Sequence, residues 1–81
     1  MNDIYHRLLR LEHARLVVWE VDGRVCVSYE DCLVKDGMFL KGVFGQSTTF
    51  MDACIDYAKK ISGHTLVFGS GKNRKEVTVL L

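Results

Sequence analysis

The spacing of apolar residues changes along the chain, and each change predicts a different element. Apolar side chains recur every three or four positions between Ile4 and Leu11, as on one face of a helix. We therefore predict a short first helix over Asp3–Glu12, capped by Asn2 or Asp3. From residue 15 onward, β-branched and aromatic residues replace this pattern and predict strands.

The first two strands meet at Asp22-Gly23, a dipeptide typical of hairpin turns. A two-residue loop would pair Val18 with Val27, but it would divide the apolar residues between both faces of the hairpin. A three-residue loop beginning at Val21 would pair Glu20 with Arg24 and place the apolar residues on one face. That face would contain Val17, Trp19, Val25, Val27 and Tyr29. We therefore predict the three-residue loop.

A second Asp-Gly pair, Asp36-Gly37, separates the apolar segments CLV and MFLKGVF. It predicts that the chain continues as a three-stranded antiparallel meander.

The segment STTFMDACIDYAKKISG predicts a longer helix with defined ends. Thr49 is the predicted N-cap, Asp52 its capping-box partner, and Gly63 the stop signal. The predicted apolar stripe consists of Phe50, Ala53, Cys54, Tyr57 and Ile61.

Two further strands, HTLVF and EVTVLL, follow this helix and are joined by a glycine-rich basic segment. The order is therefore α-β-β-β-α-β-β. Strands and helices set apart in sequence favour an α+β fold, here a small antiparallel sheet of about five strands packed by one long helix. With 81 residues, the chain is expected to form a single domain over residues 1–81.

The apolar stretches, the cysteine spacing and the net charge predict the cellular location of the protein and its affinity for nucleic acid. The N-terminus lacks the apolar core of a secretory signal, and no apolar stretch is long enough to span a bilayer. The three cysteines show no CxxC spacing, so we expect reduced, buried thiols and a cytoplasmic protein. A formal net charge of +1 argues against strong general affinity for nucleic acid.

Charge is unevenly distributed along the chain. We predict two candidate contact sets for a partner. The acidic set, a candidate protein-binding surface, is Glu20, Asp22, Glu30, Asp31 and Asp36. The basic set, a candidate contact for a partner or for nucleic acid, is Lys59, Lys60, Lys72, Arg74 and Lys75. Complementary potentials of this kind steer association with charged partners.

The segment FGSGKNRKE raises the possibility of a phosphate-binding loop, which requires GxxxxGK[ST] between a strand and a helix. Asn73 follows Gly71-Lys72, Leu66 stands where the first glycine should be, and the next segment is a predicted strand. We therefore interpret this segment as the tip of a hairpin with basic side chains.

Metal and catalytic sites are also poorly supported. Six residues of the types that bind zinc are scattered without close pairs: His6, His13, His64, Cys26, Cys32 and Cys54. No Ser, Cys or Lys has a recognisable neighbouring base, so we predict no catalytic residues and no cofactor. We assign no metal-binding residues, and a metal-stabilised domain, which chelation would destabilise, is kept as a third hypothesis.

Residues Ser47–Leu81 resemble small proteins encoded by bacteriophages and prophages of Gram-positive bacteria. The resemblance lies in the threonine-capped helix with its DYAKKI centre, the GHTLVF strand, the basic loop and the RKEV strand. Some compact phage proteins of this build are anti-CRISPR inhibitors. The resemblance implies a non-enzymatic inhibitor in the cytoplasm of a bacterial host, with a Cas9-type effector as the leading target.

A shorter segment, from Gly42 to Ala58, resembles HicB-type antitoxin domains. The pattern of that family also includes a C-terminal DNA-binding module, which we do not expect here. The alternative hypothesis is therefore a small nucleic-acid-binding or HicB-like binding module. In either case we expect a monomer or a small homo-oligomer.

Overall fold

The computed structural model describes residues 3–12, 14–69 and 71–81. Those residues form an α+β fold of two helices and seven strands, which confirms the predicted class. The helices are α1 (Ile4–Leu9) and α2 (Phe50–Ile61). The strands are β1 (Leu16–Val21), β2 (Arg24–Tyr29), β3 (Cys32–Asp36), β4 (Phe39–Lys41), β5 (Gly45–Ser47), β6 (Thr65–Phe68) and β7 (Lys75–Thr78). The element order follows the prediction, with two short strands added.

The strands form two antiparallel sheets rather than one. The first has the order β1-β2-β5, and the second has the order β4-β3-β6-β7. Helix α2 packs on β5 and β2, and α1 packs on α2. The core therefore lies between α2 and the sheets, and its largest side chains include Leu8, Val27, Tyr57, Ile61 and Leu66.

Helix α1 is shorter than predicted. Asp3 is its N-cap, but the Asp3 side chain makes no capping hydrogen bond and instead lies 3.4 Å from the Arg7 guanidinium. The alternative cap, Asn2, lies outside the described residues. Leu8 is fully buried and anchors this short helix to the core.

The preferred register of the first hairpin is wrong. Val18 pairs with Val27 and Glu20 with Val25, so the loop has two residues. Asp22 and Gly23 both have positive φ, 49° and 76°, as a type I′ turn requires. The apolar residues are therefore divided between the two faces of the hairpin, which was the reason for rejecting this register. The structure accommodates this division because both faces of β2 are covered.

The predicted three-stranded meander is also wrong. The chain leaves the first sheet at Glu30-Asp31, where Asp31 has a φ of 53°. Strand β3 then pairs with β4 and β6, not with β2. Asp36 pairs with Phe39, which makes Gly37-Met38 the two-residue turn between β3 and β4.

The structure confirms the predicted N-cap and stop signal of helix α2. The Thr49 hydroxyl accepts a hydrogen bond from the Asp52 N–H at 3.2 Å. The helix ends at Ile61, and Gly63 follows with a φ of 82°. The buried side chains are Ala53, Cys54, Tyr57, Ala58 and Ile61, while Phe50 is partly buried.

Gly45 lets α2 lie directly against β5. A Cβ at Gly45 would overlap the Ala53 carbonyl oxygen and would lie 2.5 Å from the Tyr57 Cβ. Because the helix backbone itself forms this contact, no side-chain rotation could relieve it.

The last two strands form the predicted hairpin, which extends the second sheet. A 3₁₀ turn over Gly71–Asn73 lies in their connection, and Ser70 is outside the described residues. None of the helices in residues 3–12, 14–69 and 71–81 combines the length and apolar character needed to cross a membrane.

Candidate functional site

The five acidic candidates lie at three separate places. Glu20 and Asp22 are at the turn end of the first hairpin, whereas Glu30 and Asp31 are at its other end. The six residues of β2 separate these ends by roughly 20 Å. Asp36 ends β3 in the other sheet.

Asp36 is also partnered. The Lys41 ammonium lies 2.7 Å from the Asp36 carboxylate. The hydrogen bond from Lys41 and its positive charge lower the pKa of Asp36 below its ordinary value. The charge of this acidic candidate is therefore matched within the protein.

The basic candidates on α2 have different surroundings. Lys60 donates to the Phe44 carbonyl oxygen at 3.2 Å, lies 2.9 Å from the Asp56 carboxylate and sits over the Phe44 ring. Lys60 therefore fastens the segment before β5 to the helix. Lys59 is exposed.

Asp56 also attaches α2 to β5. Its carboxylate accepts a hydrogen bond from the Gln46 N–H at 3.0 Å. Burial alone would raise the pKa of the Asp56 carboxyl, but the hydrogen bonds from Lys60 and Gln46 outweigh it and lower that pKa. Asp56 is therefore ionised and covers part of the outer edge of β5.

The remaining basic candidates lie around the β6–β7 connection, at the opposite end of β6 from the end of α2. Arg74 lies 3.2 Å from Glu76, and Glu76 also pairs with Lys35 at 3.2 Å across the sheet. The hydrogen bond from Lys35 is the main cause of the lowered pKa of Glu76. Lys72 and Lys75 are exposed. The structure therefore does not unite the five basic candidates in one surface.

A buried cluster of tyrosines joins α2 to both sheets. The rings of Tyr29 and Tyr57 meet edge to face, and Phe68 of the second sheet also contacts Tyr29. Burial raises the pKa of both tyrosines well above the ordinary value. Both hydroxyls are therefore neutral and serve as hydrogen-bonding groups in the core.

The cysteine thiols near this cluster are poor nucleophiles at neutral pH. Burial raises the pKa of Cys32 to about 11, and it also raises the pKa of Cys54. A thiol reacts mainly as its thiolate, which these environments disfavour. The three cysteines are free thiols.

Two cavities are each lined by several titratable groups. One, of about 370 Å³, is lined by Arg15, Glu30, Asp31 and Phe68. The other, of about 230 Å³, includes the Asp36–Lys41 pair and His64. Within residues 3–12, 14–69 and 71–81, no three His, Cys, Asp or Glu side chains are placed to hold a metal ion. His13 lies outside these ranges.

Two neighbouring apolar side chains at the β3–β4 turn are largely exposed, which the sequence pattern was not used to predict. Met38 is 98% exposed, and the neighbouring Phe39 is 74% exposed. The Asp36–Lys41 ion pair flanks them. The available signal was the run Met-Phe-Leu directly after a turn glycine, because strand alternation must direct some of these side chains outward.

A second apolar area lies on the face of the first sheet opposite α2. The rings of Trp19 and Phe44 lie 5.9 Å apart there. Together with Val21 and the buried Cys26 they line a shallow groove of about 310 Å³. This contact shields Cys26 and leaves Val21 exposed.

The chain and its fold were compared with known proteins. Scans of family models, curated proteins and solved structures found no significant match.

Proposed function

We propose that the protein acts by binding another protein through its β3–β4 turn. The observation that carries this proposal is the pair of exposed apolar side chains, Met38 and Phe39, at the end of a hairpin. Neighbouring exposed apolar side chains of this size mark interaction sites more often than isolated ones do. Burial of each side chain in a partner contributes about 1.5–3 kcal/mol.

Strand pairing holds the hairpin that carries these two side chains in place. Strand β3 pairs with β4 on one side and with β6 on the other. The two-residue turn leaves Gly37 and Met38 outside the ladder, and Phe39 pairs with Asp36 directly beside it. A backbone held in this way loses little conformational entropy on binding.

The charged side chains around the turn suit a polar rim. Asp36 and Lys41 flank the apolar pair, and Lys35 and Glu76 form an ion pair on the same sheet. Protein interfaces commonly combine an apolar centre with such a rim. We therefore infer a partner with an apolar pocket surrounded by polar groups.

For the partner, we propose a host protein that handles nucleic acid, which this chain would inhibit without catalysis. The phage-like features of Ser47–Leu81 support this choice, and a Cas9-type effector is the leading target. The raised thiol pKa values of Cys32 and Cys54 agree with a non-catalytic role.

Mixing the protein with guide-loaded Cas9-type effectors, then measuring target cleavage and co-elution, tests this proposal. A Met38→Ser/Phe39→Ser double variant should lose both effects. Leu80→Ser is the matched control, because Leu80 is 84% exposed but lies beyond the last strand. Normal cleavage without a complex across several effectors would reject the proposed target class.

The nucleic-acid alternative predicts a different result. Binding through the basic candidates would give a mobility shift that weakens steeply with salt and on neutralising Lys72, Arg74 and Lys75. The structure favours it less, because Lys60 and Arg74 are already ion-paired. A shift of this kind, unaffected by Met38→Ser/Phe39→Ser, would replace the protein-binding proposal.

A further inference from the structure

Strand β1 forms an edge of the first sheet, and half of its backbone groups point away from the protein. The Glu30 N–H donates to the Arg15 carbonyl oxygen at 2.7 Å, and Val17, Trp19 and Val21 follow in the same alternation opposite β2. The N–H and C=O groups of Leu16, Val18 and Glu20 therefore point outward. Such a row is a template for pairing with another strand.

The other sheet edges in the described part of the chain are shorter or more charged. Asp56 covers the Gln46 N–H on β5, and β4 has only three residues, including Lys41. Strand β7 contains Lys75 and Glu76. In contrast, β1 has six residues and a single charge, Glu20.

We propose that two copies of the chain associate through β1, which pairs antiparallel with β1 of the second copy to form a continuous six-stranded sheet. This inference concerns self-association and does not depend on the proposed partner. A two-fold axis at Val18 uses all the outward groups, because Val18 then faces Val18 and Leu16 faces Glu20 of the second copy. This register forms about six hydrogen bonds between the two strands. If the two-fold axis instead passed through the neighbouring residue, Val17, the strands would form about four.

The side chains agree with the same register. On the face away from α2, Val17 of each copy faces Trp19 of the other, a favourable pair of β-branched and aromatic residues. Val18, which is 51% exposed in the single copy, packs against its equivalent. Glu20 faces Leu16, so no like charges are opposed.

Helix α2 leaves space for the second copy. It packs on β5 and β2, and β1 lies on the far side of β2 from β5. The second copy therefore meets the row of unpaired backbone groups directly. Pairing would also bring the two Trp19–Phe44 areas side by side.

Sedimentation equilibrium and fluorescence of the single tryptophan test the proposal with the protein alone. We expect a mass of twice 9.2 kDa at high concentration. On dilution, the emission of Trp19, now 38% exposed, should shift to longer wavelength. A mass of 9.2 kDa at millimolar protein, with emission independent of concentration, would overturn the proposal.

A pair of cysteine variants tests the register. In Val18→Cys, the two Cα atoms would lie about 5.5 Å apart, which suits a disulfide bond. In the matched control Glu20→Cys, they would lie more than about 12 Å apart. Copper–phenanthroline oxidation should link Val18→Cys into covalent dimers, while Glu20→Cys stays at the wild-type level. Equal linking of both variants, or no linking of folded Val18→Cys, would contradict the register.

Discussion

The backbone N–H of Tyr29 donates a hydrogen bond to the Tyr57 hydroxyl oxygen over 3.0 Å. Strand β5 pairs with β2 only as far as Gly45, opposite Val27. The helix side chain therefore takes the place of a strand for the next backbone group. Since the Tyr29 hydroxyl also donates to the Leu8 carbonyl oxygen at 2.7 Å, Tyr29 links the first sheet to both helices.

Tyr57→Phe should destabilise the fold by about 1–3 kcal/mol, because it leaves the buried Tyr29 N–H without an acceptor. Urea unfolding measures this loss. Tyr5→Phe is the matched control, because Tyr5 is only partly buried beside Phe50. Equal stability of Tyr57→Phe and the wild type would show that the hydrogen bond contributes nothing.

Alkaline pH should destabilise the wild type through the same tyrosines. Their pKa values are raised by burial above the ordinary 10.0, so the unfolded chain loses these protons first. The stabilisation is complete below that ordinary value and declines as pH rises above it. Melting temperatures at rising pH should fall less steeply for Tyr29→Phe/Tyr57→Phe than for the wild type. Parallel curves would contradict this linkage.

Gly45→Ala should destabilise the protein by about 3 kcal/mol, because the new methyl group meets the α2 backbone. Gly42→Ala is the matched control in the same segment, since its added Cβ would have no atom within 4 Å. That substitution should change stability by less than about 0.5 kcal/mol. Thermal melts of the two variants should differ clearly, and similar melts would show that α2 can move away from β5.

Asp56→Asn should weaken the attachment of β5 to α2 by a few tenths to about 1 kcal/mol, given the partial exposure of the ion pair. The pKa of Asp56 is lowered in the fold, so its contribution is present above the ordinary value of 3.8 and is lost as pH falls through the folded value. The difference in melting temperature between wild type and variant should therefore shrink on acidification. A constant difference would assign the effect to packing alone.

Helix α2 was predictable because its signals are local. Thr49, Asp52 and Gly63 act within one or two turns, and the apolar stripe needs only the helical period. The hairpin register was not predictable in this way, since Cys26 and Val27 on successive positions are both buried. Phe44 covers the second face of β2 through a tertiary contact, which the alternation of residues along a strand cannot predict.

The candidate site was less accessible from sequence than the fold. The sequence predicted charged contact residues, but in the structure Asp36 forms an ion pair with Lys41, and Lys60 forms one with Asp56. Phe39 would ordinarily be assigned to the core, and only its position beside the turn exposes it. The switch of sheets at Asp31 likewise depends on strand pairing between distant segments.

The most direct test of the central claim is the affinity of the partner for three proteins: the wild type, Phe39→Ser and Leu80→Ser. Isothermal titration with the effector that co-elutes with the wild type measures it. An anchor of this kind should cost about 2 kcal/mol or more on truncation, so Phe39→Ser should bind about 30-fold more weakly. Leu80→Ser should bind like the wild type. Equal affinities for all three proteins would contradict binding through the β3–β4 turn.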